Sequence, residues 1–98
     1  MEQKLKAWNN FNGVVSWHIA NYAIPQYGSD IKESVDLMST ADCIGYIRKY
    51  IQRAGKNRRG RLEDLRDLLK IAHVAQLAFD FMEPTKDEIE LLTDGSSS

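Results

Sequence analysis

The chain has 98 residues, which makes one domain with a modest core, because folding at this size buries only about 60–65% of the unfolded surface. Charged residues are 28% and hydrophobic residues 43% of the total, and a net charge of −1 excludes a global attraction to nucleic acid or to a membrane surface. The single cysteine, Cys43, excludes an internal disulfide, and with only two histidines no four-ligand Cys/His zinc site can be assembled.

The first helix is predicted from Leu5, Trp8, Phe11, Val15, His18, Ile19 and Tyr22, which share one face at the 3.6-residue period. Gly13 weakens its middle by roughly 1 kcal/mol relative to Ala. Pro25 stops it, so its end is expected near Asn21 to Ala23, with a loop over residues 24–30. Gly28 suits that loop, and residues 30–37 have the pattern of one or two helical turns, with Ile31, Val35 and Met38 inward.

Ser39 or Thr40 caps the second helix, with Asp42 in its first turn. Ile44, Ile47, Ile51 and Ala54 give its expected core stripe, and Gly55 is placed to end it in the left-handed conformation. A turn follows over residues 56–60. The third helix is expected from Arg61 or Leu62 to about Met82, with Leu65, Leu68, Leu69, Ala72, Ala75, Gln76 and Phe79 as its apolar stripe. Thr85 caps a short fourth helix over residues 86–92, with Ile89 and Leu92 inward.

No strand pattern competes, so the fold class is all-α. The architecture is a small helical bundle built on a long hairpin of the second and third helices, with an N-terminal helix and a short C-terminal one. Residues 1–94 form the domain and residues 95–98 a flexible tail. Trp8, Phe11, Tyr22, Tyr46, Tyr50 and Phe79 exceed what one thin seam needs, which predicts a homo-oligomer or an aromatic-lined groove. No stretch reaches the roughly 18 apolar residues of a membrane span, and the N-terminus lacks a signal-peptide core, so a cytoplasmic protein is expected.

The charge is distributed unevenly. Residues 48–61 hold seven Lys or Arg and no acid, whereas residues 80–94 hold six acids and one Lys. Lys49, Arg53, Lys56, Arg58, Arg59 and Arg61 gather where one helix ends and the next begins. A helix N-terminus offers free amides and arginine offers a planar fork, so this cluster is a candidate phosphate site, with Tyr46 and Tyr50 as candidates for stacking on a base. The competing reading is a solvated turn in which Arg53 and Arg61 pair with Glu63, Asp64 or Asp67. The negative net charge and the short basic segment argue against duplex DNA.

Glu63 and Asp67, four residues apart, are candidate ligands for Mg²⁺ of the kind used by all-α nucleotide pyrophosphohydrolases, as are Asp30, Glu33 and Asp36 in the earlier segment. The match to the paired acidic helices of those enzymes is poor, and helix capping explains the same residues. No G-x-x-x-x-G-K-[ST] loop is present, so phosphoryl transfer of the usual kind has no sequence support. His18 and His73 lie beside apolar stripes, as core histidines do, and Cys43 reads as a small buried hydrophobe.

The segment Lys49-Tyr50-Ile51-Gln52-Arg53-Ala54-Gly55-Lys56, followed by Glu63-Asp64-Leu65, resembles a widespread family of small phage proteins. That family shares a Lys-Tyr-Ile-x-Arg helix end, a Gly-Lys turn and a Glu-Asp-Leu start to the next helix. A member from a T7-like phage is known as a nucleotide kinase, and most members have no assigned function. The resemblance spans residues 45–80 and leaves the N-terminal third unmatched. It implies a phage origin, hence the host cytoplasm, and a link to nucleotides, carried by Lys49, Tyr50, Arg53, Gly55, Lys56, Glu63 and Asp64. The expectation is a small helical protein that binds a nucleotide or another phosphorylated ligand, acting in nucleotide metabolism. The alternatives are sequestration of a host signalling nucleotide, Mg²⁺-dependent pyrophosphohydrolysis, and a helical interaction module.

Overall fold

Two helices running antiparallel organise the molecule, α3 (Thr40–Arg53) and α4 (Arg61–Phe81). The computed structural model describes residues 2–27, 37–56 and 58–93, and all regular structure among them is helical. Upstream lie α1 (Glu2–His18), a π-helical turn (Ile19–Ala23) and α2 (Ile24–Tyr27); downstream lies α5 (Lys86–Thr93). The second, third and fourth helices expected from the sequence are therefore α3, α4 and α5. Of the expected turns at residues 30–37, positions 30–36, with Gly28 and the Asp30, Glu33, Asp36 cluster, lie outside the described residues, as does the tail at 95–98; Leu37 is buried without helical structure, and Met38, expected inward, is exposed.

The hairpin is pinned at both ends. Ser39 caps α3, its side chain accepting from the Asp42 amide at 3.1 Å. At the next residue, the Thr40 hydroxyl donates to the Ala78 carbonyl at 3.1 Å, and at the far end Arg53 grips Asp67. Between these clamps Cys43, Leu37, Val74 and Leu77 form the buried core, with Tyr46, Ile47, Ala78 and Phe81 packed against it.

This corrects the expected faces. Of the stripe Ile44, Ile47, Ile51 and Ala54, Ile44 and Ile51 are exposed, while Cys43 and Tyr50 are buried in their place. The large ring of Tyr50 fills this face, and its hydroxyl donates to that of half-buried Tyr46 at 2.9 Å, so the ring is enclosed with its polar atom satisfied. The same rotation applies to α4. It turns Asp67, Val74 and Leu77 toward α3, while Leu65, Leu68 and Phe79 stay exposed.

The N-terminal helix does not stop at Pro25. A prolyl ring clashes with the carbonyl four residues back and cannot donate to it. Here the chain widens first: the Ile24 amide bonds to the Ile19 carbonyl, five residues back, and Pro25 then sits within α2. The long arm packs on α4 through Val15 and His18, both buried, and Arg66 of α4 stands 5.6 Å over the Tyr22 ring. Leu5 and Trp8, expected inward, are mainly exposed.

α5 opens with a reciprocal capping box. The Glu88 amide donates to the Thr85 hydroxyl at 3.1 Å, and the Thr85 amide donates to the Glu88 carboxylate at 2.9 Å. It buries no residue: Ile89 is half-buried, and Leu92, expected inward, is exposed. No described helix is long and apolar enough to cross a membrane.

Candidate functional site

The hairpin turn is shaped by two glycines. After Arg53 the backbone becomes extended at Ala54 and left-handed at Gly55 (φ 78°), and the Lys56 amide closes back on the Arg53 carbonyl at 2.9 Å. Gly60, at φ 106° and ψ −176°, is the N-cap of α4, and its carbonyl accepts from the Asp64 amide at 3.3 Å. The segment between them carries Arg58 and Arg59, both exposed.

An open cleft of about 330 Å³ lies at this end of the hairpin, lined by Arg53, Lys56, Arg58, Arg59, Glu63 and Lys70. Four of the six expected cations meet there. Lys49 instead stands 5.7 Å over the Tyr46 ring, and Arg61 begins α4 outside the lining. Lys70 was not singled out from the sequence. Its signal is its position seven residues after Glu63, two helical turns along the same face of α4.

Arg53 is fixed from below. Its Nε donates to Asp67 Oδ2 at 3.2 Å and its Nη2 to Oδ1 at 3.0 Å, a two-pronged pair in which Asp67 is 0% and Arg53 42% exposed. The hydrogen bond to Asp67 raises the Arg53 pKa above its usual value; burial opposes this, and the charge of Asp67 adds to it. Arg53 also lies 4.5 Å over the Tyr50 ring, which Lys70 approaches to 5.3 Å. Tyr50 meets Tyr46 edge-on at 4.8 Å. Tyr50 is thus the floor beneath two of the cleft's cations. At 5% exposure its ring is closed to a nucleobase, which corrects the stacking role expected for it. Tyr46 is half-buried beside it.

The carboxylates are engaged by arginines. Asp67 holds Arg53, and Glu63 accepts from Arg66. A cation bound by Glu63 and Asp67 would have to displace Arg53 from a fully buried carboxylate. Among the described residues no group of three His, Cys, Asp or Glu stands close enough to hold a metal ion. His18 and His73 are buried away from the cleft, His18 stacked on Tyr22 at 5.5 Å. Cys43 is enclosed in the hairpin core.

No protein-family model, curated protein or solved structure matches the chain.

Proposed function

We propose that the hairpin cleft binds the phosphate groups of a nucleotide or another phosphorylated small molecule, in a cytoplasmic protein of phage type. The observation that carries this reading is the lining itself: five cations and one carboxylate around a single open cleft. Arg53 is already oriented by Asp67, so less side-chain entropy is lost when an anion arrives. The resemblance to small phage proteins points the same way, since it includes Arg53, Lys56 and Glu63. The nearby carboxylates are spent on arginines, which favours binding, including sequestration of a signalling nucleotide, over Mg²⁺-dependent hydrolysis.

The test is a melting screen against inorganic phosphate and mono-, tri- and cyclic nucleotides. At a ligand concentration of about 100 Kd the fold gains about 2.7 kcal/mol, a Tm rise on the order of 10 °C for a chain of this size. Arg58→Ala with Arg59→Ala should abolish the rise and leave the ligand-free Tm nearly unchanged. No rise with any ligand, or a rise the double substitution leaves intact, refutes the site. Turnover of the ligand with Mg²⁺, lost in Glu63→Ala, would make the protein an enzyme.

A further inference from the structure

One side of α4 carries large apolar residues that no described helix covers. Arg61, Leu65, Leu68, Ala72, Ala75, Phe79 and Met82 recur at steps of four, three, four, three, four and three, a repeat of 3.5 residues. That is the period of a seam between two long helices, and it is narrower than the stripe of an ordinary surface helix. Leu65, Leu68 and Phe79 are 44%, 48% and 45% exposed, and Met82 is more exposed still. Beside Ala72 and Ala75 an open, mainly apolar groove of about 430 Å³ separates α4 from α1, with Trp8 on its far wall.

We propose that this face is the interface of a two-fold symmetric dimer, in which the α4 helices of two copies cross antiparallel about Ala72. Three observations select a second copy and this orientation. First, the seam is self-complementary when reversed. Ala72 faces the partner's Ala72, where small side chains allow close approach, and Leu65 meets the partner's Phe79. Second, Leu68 is carried over the partner's groove beside Ala75, which supplies an apolar receptacle for it.

Third, the charges match only in this orientation. Seven cations and no acid occupy residues 48–61, while six acids and one Lys occupy residues 80–94. The 21 residues of α4 hold Arg61 and Glu83 at opposite ends, about 31 Å apart, so these two cannot pair within one chain. Antiparallel pairing brings Arg61 to the partner's Glu83 at both ends of the seam, whereas parallel pairing sets Arg61 against the partner's Arg61. Arg61 thereby has a role that its position outside the cleft does not otherwise give it. Glu63 and Lys70, which line the cleft, lie on the opposite side of α4, so the dimer leaves the cleft open and stands whether or not phosphate binds there.

The experiment is sedimentation equilibrium on the full chain at micromolar concentrations. Twice the chain mass of 11.2 kDa is expected. Leu68→Glu should weaken association by about 100-fold or more, because it places an unpaired carboxylate in the seam, and should leave the helical circular dichroism unchanged. Arg61→Glu and Glu83→Arg should each weaken the dimer, and the double exchange should restore it. A monomeric wild type, or a dimer that Leu68→Glu leaves intact, overturns the interface. Single exchanges without effect, or a double exchange that fails to restore, overturn the antiparallel register.

Discussion

The pair of Arg53 and Asp67 joins the fold to the cleft. Asp67 is completely buried, so its charge is sustained by the guanidinium, while Arg53 reaches the surface and keeps part of its fork outside the pair. Removing the cation from a buried carboxylate is costly even where the pair itself contributes little net stability. Arg53→Met is expected to lower stability by about 3 kcal/mol, a Tm fall of roughly 10–20 °C, measured by thermal and urea unfolding. The pH dependence follows from the raised Arg53 pKa. A group whose folded-state pKa lies above its unfolded value contributes fully below the unfolded value and loses that contribution only as pH rises through the folded one. The contribution of the charged Arg53 should therefore persist in the wild type through about pH 9 and be lost only in strong alkali. The pairing was legible as one of several partners for Arg53. Its depth was not, because an aspartate four residues after Glu63 on an amphipathic helix reads as exposed.

At the scale of elements, backbone geometry separates the glycines. Gly60 combines φ 106° with an extended ψ, a region nearly closed to other residues, although a β-carbon there would meet nothing within 4 Å. Gly45 lies inside α3 with equally open space and ordinary helical geometry. Gly60→Ala is expected to destabilise by about 1–3 kcal/mol and Gly45→Ala to stabilise by about 0.5–1 kcal/mol, both read by urea unfolding. Equal effects of one sign would mean that packing, not conformation, governs both positions. Pro25 is the element the sequence misreads. Proline is a reliable stop when the preceding turn is α-helical, and the π turn at Ile19–Ala23 removes that condition. No composition rule marks such a turn, around which His18, Tyr22 and Arg66 pack together.

Over the whole molecule, the helical fold, the hairpin and its turn were readable because caps, glycines and period each mark them locally. The rotation of each helix about its own axis was not. α4 carries two apolar faces, and periodicity alone does not say which of them meets α3. The choice rests on tertiary partners: Tyr50 against Lys70, Thr40 against Ala78, Arg53 against Asp67. The cleft was legible as a charge cluster and incomplete for the same reason, since Lys70 joins it only once α4 is turned.

α5 stands apart in this respect. Its capping box and the Thr93 hydroxyl, which donates to the Ile89 carbonyl at 2.8 Å, are all internal to it, and it buries no residue. An eight-residue helix held by its own hydrogen bonds opens without disturbing the rest. Amide hydrogens within α5 should therefore exchange with solvent deuterium early, by local opening, while those of Val74 and Leu77 should wait for global unfolding. Mass spectrometry of labelled peptides would show two well-separated clocks in one small chain; a single shared rate would mean that α5 is tied into the hairpin's cooperative unit.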